Sequence, residues 1–158
     1  MTDIAKRPSS FPWPPLVYLA AIVISIFLWI LYPLPWFGSP LSDILFAVGW
    51  IVVVAVVAID ISAMRTLSRA GTTIMPNKAS EHLVTSGAFS FTRNPIYLAN
   101  TLMMIAVAMI TGIAWFILLA VIAAFSTQKL AIEREEKHLE ARFGKKYFDY
   151  KKRVRRWV

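Results

Sequence analysis

Apolar residues come in long runs separated by short polar stretches, and the run lengths decide the class of fold. The first run occupies 16–34 and the second 44–64, dominated by Val and Ile; each reaches the ~20 residues that a membrane-crossing helix needs. A third apolar stretch covers 96–125 and is too long for one ordinary span. Its only interruption is Thr111-Gly112, so it divides there into two antiparallel spans, 95–110 and 113–131, joined by a tight turn. The pattern predicts an all-α integral membrane protein with about four transmembrane helices, in one domain over 1–158. The first run is followed by PLPWFG rather than a small-residue cleavage site, which marks it as a retained helix. Residues 1–15, polar and then Pro-rich (FPWPP), read as a lead-in. Ser39-Pro40-Leu41-Ser42-Asp43 reads as a turn and helix start with Asp43 as N-cap.

Charge orients these spans. Of 17 Lys and Arg, Lys6 and Arg7 precede the first run, Arg65, Arg69, Lys78 and Arg93 lie between the second and third, and the other 11 lie from Lys129 onward. The connections at 33–43 and around Thr111-Gly112 carry none. The positive-inside rule then puts every basic segment, and both termini, in the cytoplasm. In a bacterium the location is the inner membrane. A net charge of +8 raises nucleic acid as a partner. Anionic headgroups account for the same charge, so membrane lipids and not nucleic acid are the expected partners.

The tail is helical by periodicity. Leu139, Phe143, Tyr147, Tyr150 and Val154 recur at helical spacing among charges, with a bend at Gly144. This is the pattern of an amphipathic cytoplasmic helix lying on the membrane surface. The chain has no cysteine, and His82 and His138 stand on unlike segments, so no metal site is expected. Neither GxGxxG, GxxxxGK[ST] nor HExxH occurs. Asp60, near the end of the second span, has two readings: a carboxylate paired with Arg65 or solvated, or a polar group facing a cavity.

Candidate chemistry concentrates in two places, 81–97 (EHLVTSGAFSFTRNPIY) and 133–150. Arg93 and Asn94 stand at the mouth of the third span, with Pro95 suited to a first helical position. Glu133, Glu135 and Glu136 stand at the exit of the fourth. If the two spans form a hairpin, guanidinium and carboxylates face each other at headgroup level. They form either an ordinary interfacial ion pair or a binding site for a zwitterionic molecule beside the lipid.

These residues carry a resemblance. Leu83-Val84-Thr85, Gly87 and Phe89, then Arg93-Asn94-Pro95 and Tyr97, then Glu135-Glu136 with Leu139, and Phe143-Gly144 with Tyr147 and Tyr150, follow one another in a characteristic order. The pattern resembles the isoprenylcysteine carboxyl methyltransferase family and its bacterial and phospholipid methyltransferase relatives. The resemblance covers the chain from Glu81 onward. It implies an integral membrane methyltransferase that uses S-adenosyl-L-methionine and needs no metal. It further implies that the cofactor is held by Glu81, His82, Leu83, Val84, Gly87, Phe89, Asn94, Pro95, Ile96, Tyr97 and Glu135. Arg93, Glu135 and Glu136 become the candidate catalytic residues, with Glu136 a candidate base for an amine acceptor.

The implied methyl acceptor is a lipophilic molecule, an isoprenylcysteine-like carboxylate or a related small lipid; a phospholipid amine is the alternative. Where the isoprenylcysteine enzymes carry an Arg for the substrate carboxylate, this chain has Ala131, with Lys129 and Arg134 nearby but out of register. A different class also fits the composition: a non-catalytic membrane protein whose basic tail binds lipid or a partner.

Overall fold

The computed structural model describes residues 12–71 and 82–158. The described residues are helical, without strands, in the order α1 (Trp13–Leu31), α2 (Leu41–Arg69), a 3₁₀ turn (Gly87–Ser90), α3 (Pro95–Thr111), α4 (Trp115–Thr127), a π-turn (Gln128–Ile132), α5 (Glu133–Phe143) and α6 (Lys145–Arg153). Three helices are long and apolar enough to cross a membrane: Trp13–Leu31, Leu41–Arg69 and the continuous Trp115–Phe143. α3, with 17 residues, is a shorter apolar helix between them. The all-α integral membrane architecture expected from the runs is the one observed.

The helix ends depart from the apolar runs for local reasons. α1 starts at Trp13 because Pro14 and Pro15 fit a first turn, where a missing N–H forfeits no intrahelical hydrogen bond. It stops at Leu31, just before Pro33 and Pro35. α2 begins at Leu41, with Asp43 inside its first turn rather than at the N-cap. The Asp43 carboxylate accepts from the Ser39 hydroxyl at 2.7 Å and complements the positive end of the helix dipole. At 29 residues α2 outruns the ~30 Å apolar core, so its last turns carry Arg65 and Arg69 beyond it. The break at Thr111-Gly112 is a left-handed cap: Gly112 has φ +73° and its N–H donates to Ala108 O at 2.8 Å.

α2 packs on α3, α3 on α4, and α4 on α1, giving an up-and-down bundle with short connections at one end. At that end Trp115 Nε1 donates to Tyr32 O at 2.7 Å. The interior is built from small residues, which let backbones approach where lipid supplies no hydrophobic push. Ala21, Ala108, Ala120 and Ala123 surround Tyr18, Met104, Phe116 and Leu119. Large side chains such as Ile30, Ile51, Val54 and Val121 point outward, the reverse of a water-soluble core.

α2 and α3 approach closely at Gly49. A Cβ there meets Ile110 Cγ1 at 2.8 Å and the Ala106 main-chain oxygen at 3.1 Å. The main-chain oxygen has no rotamer to escape into. Gly49→Ala is therefore expected to part the two helices at a cost of about 1–3 kcal/mol, read as a lower melting temperature in detergent. An unchanged melt means the helices slide without cost.

Asp60 does not pair with Arg65: it forms no ion pair among the described residues, and its Oδ1 is buried there without a hydrogen-bond partner.

Candidate active site

The basic end of the bundle is closed by two local devices. Pro95 starts α3, which leaves Arg93 and Asn94 in the extended lead-in at its mouth. On the facing chain the π-turn Gln128–Ile132 widens one turn of the long helix and re-aims the side chains that follow. Beyond Ile132 that helix is charged and has left the apolar span. The glutamates of α5 therefore reach the mouth of α3.

Glu136 is 7% exposed and lies between two guanidiniums. Arg93 approaches one carboxylate oxygen at 3.2 Å. Arg156 takes both oxygens in a two-point fork, Nε at 2.9 Å and a terminal nitrogen at 2.8 Å. Arg93 also donates to the Tyr147 hydroxyl at 3.4 Å, while its Nε is buried with no partner. Glu136, a candidate base on the sequence, has both of its oxygens engaged by guanidiniums.

Glu135 differs from its neighbour. It accepts from the Tyr97 hydroxyl at 2.6 Å and has no ion pair among the described residues. Burial pushes its carboxyl up to about 7; the Tyr97 hydrogen bond pulls the other way and the Glu136 charge adds to the rise. Tyr97 is itself tied in: its carbonyl accepts from Thr101 Oγ1 at 2.9 Å, and the Tyr18 hydroxyl lies 2.6 Å from the same Thr101 oxygen.

The end of the chain lies across this mouth. Arg93 N–H donates to Arg155 O at 3.0 Å, Asn94 Nδ2 to Arg156 O at 2.8 Å, and Thr92 Oγ1 to the same oxygen at 3.2 Å. Trp157 Nε1 reaches Gln128 Oε1 in the π-turn at 2.9 Å. Asn94, expected to face a cofactor, thus has its amide donor engaged by the tail.

The apolar face of α6 is also turned inward rather than toward lipid. Tyr147, Tyr150 and Val154 are buried against Leu83, Leu139 and Phe143. The Tyr150 hydroxyl donates to Phe89 O at 2.7 Å, and burial pushes its phenol up to about 12, so it stays a neutral donor.

The other expected cofactor residues fall into two groups. Pro95 is buried at the helix start, with Ile96 and Tyr97 half-buried beside it. Leu83, Val84 and Gly87 line a groove of about 850 Å³ against the end of α2, shared with Ala58, Ile61, Arg65 and Arg69. Gly87 holds this wall at φ +60°, where a Cβ would stand 2.5 Å from Thr66 Oγ1. His82 is exposed, and Glu81 lies outside the described residues. No group of three or more His, Asp or Glu disposed for a metal occurs among the described residues.

Arg156 is the member of this cluster that sequence reasoning missed. It stands 20 residues from Glu136, beyond the bend at Gly144 (φ +51°), and no local spacing announces the pair.

Fold and site together define a helical integral membrane protein with a charged, partly desolvated site at the basic end of its bundle. The chain belongs to the phospholipid methyltransferase family, whose model matches residues 44–146, more than half its length. It is therefore a membrane methyltransferase by family. No curated protein and no solved structure matches it.

Proposed function

We propose that the protein transfers a methyl group from S-adenosyl-L-methionine to a lipid at the cytoplasmic face of the membrane, as one domain over 1–158. The observation that carries this reading is two incompletely satisfied polar groups at the mouth of α3. Among the described residues Glu135 pairs with no cation, and Arg93 has a buried Nε–H with no acceptor. The amino-acid end of the cofactor offers an ammonium and a carboxylate, the complement of both. Leu83, Val84 and Phe89 supply apolar surface for its adenine, and the Tyr97 hydroxyl keeps Glu135 oriented.

When bound, the cofactor supplies a methyl group on a positively charged sulfur. The chain's share of the chemistry is then to bind, align and exclude water. Alignment of acceptor and methyl in a dry pocket is worth more than any single charged group. The basic residues of 129–156 and of the end of α2 set this face in the cytoplasm; for a bacterial source the membrane is the inner one.

A phospholipid amine is the acceptor the groove favours over an isoprenylcysteine-like carboxylate. Arg65 and Arg69, one turn apart, are both exposed at its rim and make no ion pair among the described residues. Two guanidiniums match a phosphate, which a prenylcysteine lacks. The Ile61 side of the groove is apolar and open to acyl chains.

The test supplies labelled S-adenosyl-L-methionine and either phosphatidylethanolamine or S-farnesylcysteine to protein in nanodiscs, from about pH 6 to about pH 9. An amine with a pKa near ~10 must lose its proton before its lone pair attacks, so the rate should climb about tenfold per pH unit at the acidic end. A carboxylate acceptor is already ionised and, with the methyl donor saturating at every pH, gives a flat profile over the same range. Transfer to neither acceptor, with no S-adenosylhomocysteine binding, leaves the non-catalytic lipid-binding reading standing.

A further inference from the structure

Two arginines share one buried glutamate, and that count has a consequence for the ligand. Arg93, Glu136 and Arg156 together carry one net positive charge. A lone arginine facing a carboxylate closes on it through two parallel N–H···O bonds and is then spent. Here Arg156 occupies that two-point position on Glu136, at 2.9 and 2.8 Å. Arg93 is left with a single contact at 3.2 Å, a long bond to Tyr147, and a buried Nε without an acceptor. The side chain of Arg93 is 9% exposed, and its Nε is out of contact with bulk solvent.

The tail is held so as to keep this arrangement. Its main chain accepts from Asn94 Nδ2 and Thr92 Oγ1 at Arg156 and from Arg93 N at Arg155. These bonds fix the Arg156 Cα beside the Arg93-Asn94 mouth. Its side chain therefore meets Glu136 without a search, and the Arg93 guanidinium is pushed aside from the fork. Arg156 lies outside the stretch matched by the family model, 44–146.

We propose that Arg156 is a positioning residue: by engaging Glu136 in the fork, it leaves the Arg93 guanidinium available to the carboxylate of the methyl donor. The inference rests on the reading of the site as a cofactor site. Remove Arg156, and Arg93 closes on Glu136 as a neutral pair whose donors are consumed. The loss then falls on the ligand's carboxylate and not on the rest of the molecule.

The test compares two real ligands, S-adenosylmethionine and decarboxylated S-adenosylmethionine, by calorimetry on full-length protein in detergent. In Arg156→Gln the first should bind about tenfold more weakly or worse, the size of one charge-assisted hydrogen bond, while the second changes less than about twofold. Arg156→Lys, which keeps the charge and one contact, should recover most of the lost affinity; Arg156→Met, which keeps the stem of the side chain without its donors, is the test variant if the glutamine protein does not fold. Equal loss of both ligands shows a merely structural tail, and no loss of either shows that Arg93 is not released by Arg156; both overturn the inference while leaving the cofactor reading intact. Wild-type protein that binds neither ligand overturns the cofactor reading itself, and this inference with it.

Discussion

Glu135→Gln should lose S-adenosylhomocysteine binding roughly 10- to 100-fold, the range for a charged hydrogen bond, and should gain stability at pH 8. The two effects have one cause. The carboxyl of Glu135 is raised from 4.5 to about 7, chiefly by burial. Between those values the folded chain holds a proton that the unfolded chain has released. By linkage, stability then falls as pH rises through that window, and above about 7 the whole cost of the buried charge is present.

That cost is on the order of 3 kcal/mol for a rise from 4.5 to about 7. Glutamine carries no charge and still accepts from the Tyr97 hydroxyl, so it removes the cost and keeps the bond. Melting curves of ligand-free protein should show the variant above wild type at about pH 8 and level with it at about pH 5. Wild-type affinity should weaken as pH falls through about 7, because an ammonium needs the ionised carboxylate. A Glu135→Gln protein that binds like wild type would remove Glu135 from the site. A residue that destabilises the empty protein and serves the ligand is a recognised trade.

The parts of this molecule legible in sequence are those set by local physics. Run length and the Thr111-Gly112 break set the helices, since a left-handed cap needs only the glycine and the turn around it. The order of Arg93-Asn94-Pro95, Tyr97 and Glu135-Glu136 marked the region of the site. What lay hidden depends on contacts between segments. Glu135 and Glu136 are neighbours with the same side chain, and only the partners brought by α3 and the tail separate a carboxylate without a cation from one held by two.

What covers the apolar face of the tail was hidden for a similar reason. Its amphipathic pattern fits a membrane surface as well as a protein surface, and the pattern names only the face, not what covers it. The covering residues, Leu83 and the Phe89 carbonyl, sit some 60 positions away. The π-turn at Gln128–Ile132 has no sequence signature in QKLAI, yet it decides where the glutamates point.

Glu136→Ala should be the most damaging single substitution for folding. It strands two guanidiniums, one of them, Arg93, almost fully out of water. Deleting one partner of a buried ion pair costs about 3–5 kcal/mol, more than the pair itself contributes, because the remaining charge has nothing to answer it. For a chain of this size that corresponds to a fall of about 10 °C in melting temperature. The local consequence is more telling. Arg156 loses its side-chain anchor, and the end of the chain is then held at the α3 mouth only by main-chain acceptance from Arg93, Thr92 and Asn94, the Trp157–Gln128 bond and the packing of Val154.

Limited trypsin digestion should cut the variant quickly at Lys151, Lys152, Arg153, Arg155 or Arg156, where wild-type protein resists. Glu136→Ala combined with Arg93→Met should regain part of the lost stability, since the stranded Arg93 charge is gone and an unbranched apolar chain takes its volume. The alternative is that Glu136 acts as the base that the sequence suggested. Glu136→Ala would then stop turnover while leaving both the melt and the tryptic pattern as in wild type, and the two guanidiniums on its oxygens would need another explanation.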